Sequence, residues 1–177
     1  MNSHISLRSG WFLAAFVAAQ CSGTAFAADA KSSYSVEEIP MPKGVAPEIG
    51  GLDFTPSGKL VVLTRRSGIW TAQTAKDPTK FQWHAFSEQS LHNPNGLLVV
   101  KENEFLVSQM PELTRIKDTD GDGIADEYTS VAPFNLSGNY HEVTAGPVSD
   151  GKGGYFVSLN TASHSGFTFL HTRGKYS

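Results

Sequence analysis

Three stretches of the chain share one arrangement of apolar and polar positions. "GGLDFTPSGKLVVLTRRSGIWTA" starts at Gly50, "PNGLLVVKENEFLVSQMPELTRI" at Pro94 and "TAGPVSDGKGGYFVSLN" at Thr144. Each has a glycine within its first three residues and then runs through a short apolar stretch. Each then crosses a polar turn ("PSGK", "KENE", "DGKGG") and ends in a β-rich run ("LVVLT", "FLVS", "YFVSL"). The first and third turns are glycine-rich hairpin signals. Helical periodicity is nearly absent from residue 28 onward. "DPTKFQWHAFSEQSLHNP" admits a helical turn, but its aromatics suit a strand equally well.

The leading glycines, Gly51, Gly96 and Gly146, stand 45 and 50 residues apart. Several strands in each unit of this length point to β-propeller blades. A β-sandwich with strand–turn–strand units at similar spacing is the alternative. The expected fold is therefore all-β. It comprises a lead-in over 28–46 and an incomplete propeller domain of about three blades over 47–177. A propeller needs about four to eight blades to close. Three alone leave sheet faces and an edge unburied. The expectation is an N-terminal part of a larger propeller, with C-terminal blades as the missing partner.

The first 27 residues read differently. "MNSHISLR" carries one positive charge, "WFLAAFVAA" is a short apolar core and "AFA" ends a cleavage site at Ala27. This is the pattern of a secretory signal peptide, and an uncleaved anchor is the alternative. The apolar run is short for a membrane span, so no membrane insertion is expected after cleavage. Removal of 1–27 takes away Cys21, the single cysteine, and leaves thirteen basic against seventeen acidic residues, a charge of −4. An exported chain with no cysteine suits a periplasmic or secreted location. Its mild, dispersed acidity gives no reason to expect nucleic acid as a partner.

The densest charge lies in "KDTDGDGIADEY", residues 117–128. Counting from Asp118, positions 1, 3 and 5 are Asp118, Asp120 and Asp122, position 6 is Gly123 and position 9 is Asp126. These match the opening of a D-x-D-x-D-G calcium loop. In a tight loop the odd-numbered side chains converge on one hard cation, and the glycine permits the turn. Ile124, at position 7, would offer its backbone carbonyl while its side chain packs inward. Position 12, ordinarily a bidentate acid, is Thr129, with Glu127 the nearest acidic substitute. That departure predicts modest affinity. The flanks "ELTRIK" and "EYTSVAPF" alternate like strands, so the loop over 118–129 should sit at a hairpin tip and hold calcium structurally. A solvated acidic turn is the competing reading.

Among the histidines, His141 precedes the third unit's first strand, and His92 holds a comparable place in the second. Either would face a propeller's channel, although a histidine bonded to nearby backbone is the commoner arrangement. One of Arg65 and Arg66, at the end of "LVVLTRR", should point inward if the strand alternates. There is no G-x-S-x-G, phosphate loop or dinucleotide fingerprint.

Taken together, "LVVLTRRSGIW", "QMPELTRIKDTDGDGIAD" and "YHEVTAGPVSDGKGGYFVSLN" resemble bacterial secreted propellers related to the glucose/sorbosone dehydrogenases, over roughly residues 45–177. The aspartate run resembles a subgroup often described as membrane-bound dehydrogenases. The resemblance implies a six-bladed propeller holding pyrroloquinoline quinone with calcium, acting on a sugar or polyol. It also implies a catalytic histidine that takes a hydroxyl proton as hydride passes to the quinone, and His141 occupies the similar position. A neutral imidazole suits that step. In such relatives an arginine follows the histidine by a few residues, whereas here the stretch is "EVTAGPV". The quinone is therefore expected only of a full-length parent, and this chain alone is expected to lack dehydrogenase activity. A calcium-stabilised propeller that binds carbohydrate or a protein partner is the alternative.

Overall fold

A computed structural model describes residues 35–89, 91–136 and 143–160. The chain divides into two units, 1–36 and 37–177. The signal-peptide region and His141 lie outside the described residues. Among the described residues no helix is long and apolar enough to cross a membrane.

The fold is all-β, as the alternating pattern predicts. Sheet 1 is β1 (Ile49–Phe54), β2 (Leu60–Thr64), β3 (Ile69–Gln73) and β4 (Gln82–Ser87), in that order. Sheet 2 is β5 (Leu97–Lys101), β6 (Glu104–Ser108), β7 (Glu112–Lys117) and β8 (Glu127–Pro133). Sheet 3 is β9 (Thr144–Ser149) and β10 (Tyr155–Leu159). All neighbours are antiparallel. The ambiguous aromatic segment resolves into a single 3₁₀ turn, Pro78–Lys80, followed by β4. Asp77 caps that turn by accepting the Thr79 N–H at 3.0 Å, and Pro78 starts it without needing a donor.

Pairing registers show which side of each sheet a residue occupies, because paired residues share a face. In sheet 1, Val61 pairs with Asp53 and Leu63 with Ile69. This face turns toward sheet 2: the Asp53 carboxylate accepts the Val99 N–H at 2.7 Å. Val61, Leu63, Ile69 and Phe86 pack there against Phe105, Val107 and Ile116. The Phe86 and Phe105 rings meet at a centroid distance of 4.4 Å and a tilt of 48°. The other side of sheet 2 turns toward sheet 3, where Ser108 Oγ donates to the Gly146 carbonyl at 2.8 Å. The first strands stand in a row, β1 beside β5 and β5 beside β9.

The row is tight at its inner edge. A Cβ added to Gly96 would lie 1.5 Å from the Gly146 carbonyl oxygen. The expected leading glycine of the second unit is thus a point of backbone-to-backbone approach.

Sheets 1 and 2 repeat one another in register as well as in order. Leu52↔Val62, Phe54↔Leu60, Leu60↔Ala72 and Ala72↔Trp83 in sheet 1 match Leu97↔Val107, Val99↔Phe105, Phe105↔Ile116 and Ile116↔Tyr128 in sheet 2. The sequence similarity of the units is therefore a structural repeat. Arg65 and Arg66 lie beyond the end of β2 and both are exposed. Arg65 Nε donates to Asn93 Oδ1 at 3.0 Å, and Arg66 Nε lies 3.0 Å from Glu48 Oε2. The inward-facing arginine expected from strand alternation is not found, because the strand stops at Thr64.

Candidate metal centre

The aspartate loop joins β7 to β8, which pair from Lys117↔Glu127 onward. It is a hairpin tip flanked by strands, as its flanks predict. Asp118 is buried at the loop's base, its N–H donating to the Asn103 carbonyl at 3.1 Å. The Asn103 amide in turn donates to the Asp118 carbonyl at 2.6 Å. The loop then folds around its own carboxylates. Asp118 Oδ1 accepts the Gly121 N–H at 2.6 Å and Oδ2 the Gly123 N–H at 2.9 Å. Asp126 Oδ1 accepts the Thr119 N–H and hydroxyl at 3.1 and 2.9 Å. Gly123 turns the chain with φ of 91°, a left-handed conformation that side chains disfavour.

Asp118, Asp120 and Asp126 each bring an oxygen into a cluster whose members lie within 4.8 Å of one another. Every carboxylate oxygen has two lone pairs, so accepting one N–H leaves room for a further partner. An all-oxygen donor set fits a hard cation such as calcium better than zinc or copper. Asp122 stands outside this cluster, with Oδ1 on the Ile124 N–H at 2.8 Å. Glu127, the acidic substitute for position 12, is engaged by Lys117 Nζ at 3.3 Å.

Ile124 corrects the sequence reading. Its side chain is 50% exposed, and the neighbouring Ala125 is the residue that enters the core. The Ala125 N–H donates to the Phe86 carbonyl of sheet 1 at 2.7 Å. Its methyl group lies in the core cluster shared by the two sheets, 9% exposed. Beside it, His84 Nε2 lies 3.1 Å from the Gly123 carbonyl oxygen. The loop of sheet 2 is thus fastened to β4 of sheet 1 at two points.

These anchors border an open cleft of about 630 Å³, lined in part by Gln73, Gln82, His84, Glu102, Asn103 and Asp122. The sequence alternation of "QWHAF" places His84 and Phe86 on one face, but nothing in it says which sheet that face meets. His92, whose carbonyl accepts the Met110 N–H at 2.9 Å, has an exposed side chain.

Beside the cleft the Ser57 hydroxyl donates to Glu102 Oε1 at 2.6 Å, and the Ser57 N–H donates to Oε2 at 3.1 Å. Lys59 Nζ stands 3.2 Å from Oε1. The Ser57 hydroxyl first, then its N–H and Lys59, hold the Glu102 carboxyl at about 2, below its ordinary 4.5. A depressed acid stabilises the fold fully above pH 4.5 and loses that contribution as pH falls toward 2. The group is well exposed, so solvent keeps the effect small. Ser57→Ala should therefore slightly flatten the fall of the urea midpoint between those two pH values. An unchanged acid slope would show that this link between the β1–β2 and β5–β6 turns adds nothing.

No family model matches this chain, and no curated protein matches it. One solved structure, described as an iodide structure of Trichoderma reesei Carbohydrate-Active Enzymes Family AA12, is similar at 14% identity and a TM-score of 0.40. The match covers 48% of this chain and 23% of that one.

Proposed function

We propose that this chain is the N-terminal part of an exported β-propeller of the quinone-dependent sugar or polyol dehydrogenase type. In this reading the aspartate loop holds a structural calcium ion, and the chain by itself is not an active dehydrogenase. The observation that carries the calcium assignment is the cluster of Asp118, Asp120 and Asp126 oxygens on a loop bonded to both sheets. Bound calcium would offset the repulsion among these carboxylates and rigidify the junction of sheets 1 and 2. The repeated register supports a propeller, whose remaining sheets are the expected partner. The dehydrogenase assignment rests on the resemblance and on His141. Fold alone does not decide chemistry, and the absence of arginine from "EVTAGPV" favours a second reading. That reading is a calcium-stabilised propeller that binds carbohydrate or a protein without transforming it.

Calcium is tested by melting. Extracellular-type sites bind with dissociation constants of about 0.1–1 mM. About 10 mM calcium should then raise the melting temperature by roughly 3–8 °C. Asp120→Ala should remove most of that rise. If calcium leaves the wild-type melting temperature unchanged, the loop is only a turn. The dehydrogenase assignment is tested by titrating full-length protein with pyrroloquinoline quinone and calcium, then assaying a sugar panel with a dye acceptor. Absence of quinone binding supports the binding reading. Quinone binding and sugar oxidation that both survive His141→Ala would remove that histidine from the reaction.

A further inference from the structure

The cleft between sheets 1 and 2 is lined by described residues of both. Further sheets would join the row at its ends, so the propeller-type reading places nothing in it. Its wall on sheet 1 continues the face whose inner part forms the core. Val61 pairs with Thr71, Thr71 with His84 and Gln73 with Gln82. Thr71, Gln73, Gln82 and His84 therefore share the side turned to sheet 2. Residues opposed in this way have Cβ atoms about 4.5–5.5 Å apart, so the four form one patch. The other wall includes Asp122 and Gly123 of the aspartate loop.

The register repeat sets this patch apart. Gln73 and Gln82 correspond to Lys117 and Glu127 of sheet 2. Those two satisfy each other, with Lys117 Nζ 3.3 Å from Glu127 Oε1. Gln73 and Gln82 are both exposed, and neither side-chain amide has a hydrogen-bond partner among the described residues. The same position in two copies of one unit thus carries an internal ion pair in one and free amides in the other. Beside them, His84 Nε2 meets the Gly123 carbonyl and so carries the proton of the neutral ring. Its Nδ1 is left as an acceptor.

We infer that this cleft binds a short neutral saccharide. Each free amide offers two N–H donors and a carbonyl acceptor, and a sugar hydroxyl both donates and accepts. The Thr71 hydroxyl and His84 Nδ1 extend the same uncharged surface. An anion is disfavoured, because Lys59, the lysine of the lining, stands 3.2 Å from Glu102 Oε1, and Asp118 and Asp122 border the same space. A peptide needs a free strand edge or apolar pockets for its side chains, whereas this wall is the polar face of paired strands. The volume of about 630 Å³ lies within the roughly 300–1,000 Å³ of small-molecule sites. The inference rests on the carbohydrate-binding reading, to which it gives a site, and needs no chemistry at His141.

The test is isothermal titration of the purified full chain with maltotriose, cellotriose and chitotriose. At least one should bind, with a dissociation constant in the micromolar to millimolar range. Gln73→Ala and Gln82→Ala should each weaken that binding about five- to tenfold through lost hydrogen bonds. Gln73→Lys combined with Gln82→Glu copies the sheet 2 pair and satisfies both side chains internally. It should leave the urea midpoint unchanged and weaken binding by at least about tenfold. Binding that every one of these variants retains at full strength overturns the inference. If His141→Ala then abolishes it, the carbohydrate reading survives with its site elsewhere. Absence of binding to all of the sugars overturns the inference and leaves the binding reading only a protein partner.

Discussion

Gly96→Ala is expected to destabilise the fold by about 3 kcal/mol or more, at the upper end of what overpacking does. The added methyl carbon would lie 1.5 Å from the Gly146 carbonyl oxygen and 2.4 Å from Ser108 Oγ. Ser108 could turn away, but the carbonyl is backbone, so β9 must retreat from β5. Retreat would break the Ser108 hydrogen bond to Gly146 and open the inner edge of the row. The loss of chain freedom in the unfolded state offsets less than about 1 kcal/mol of this. With a urea slope of about 1–3 kcal/mol/M, the midpoint should fall by roughly 1–3 M. Gly58→Ala is the comparison. Gly58 has φ of 86° and nothing within 4 Å of the added carbon, so its cost is backbone strain alone, about 1–2 kcal/mol. Equal losses at the two positions would show that close approach of sheets 2 and 3 is not what Gly96 provides.

Phe105→Ala should cost about 3–5 kcal/mol. Phe105 has no exposed surface and lies where both sheets meet, stacked at a tilt on Phe86. Removing its ring leaves a cavity walled by Val61, Leu63, Ile69 and Ile116. These side chains project from paired strands and cannot collapse into the gap without disturbing the ladders. A double-mutant cycle with Phe86→Ala should show coupling of about 0.5–1.5 kcal/mol beyond simple area loss. Strictly additive losses would place the two rings in separate environments and contradict the inter-sheet core. Urea midpoints of the three variants decide it.

The strand content was legible because β2, β6 and β10 are short apolar runs bounded by turn residues. Those runs coincide with the strands almost residue for residue. The facing of the strands was not legible. "LVVLT" is buried on both sides, so it carries no alternation to say which residues meet sheet 2. That information lies in the register with β1 and β3, a property of pairing that no single run encodes. The metal loop was legible at its carboxylates and its glycine, whose spacing is local. Its side-chain directions were not. Asp122 stands outside the cluster, with Oδ1 on the Ile124 N–H, and Ile124 turns outward where the next residue, Ala125, reaches Phe86. The second outcome depends on a strand roughly forty residues earlier in the chain. His84 carries no local signal for a related reason: its partner, the Gly123 carbonyl, is distant in sequence.

The contact between Ala125 and Phe86 fixes something that loops ordinarily leave free. Between β3 and β4 the pairing steps from Ile69↔Ser87 to Trp70↔Ala85, so Phe86 is the residue without an opposite number. A bulge of this kind leaves a backbone group outside the ladder, and the Phe86 carbonyl is taken by the Ala125 N–H instead. The stretch from Asp118 to Ala125 is thereby measured at both ends, by Asn103 at its start and by the bulge at its finish. Surface connections tolerate insertion and deletion because little depends on their length. Here one residue more or fewer would carry Ala125 past the bulge and leave a larger neighbour to meet it. The bulge in one sheet sets the ruler for the loop of the next.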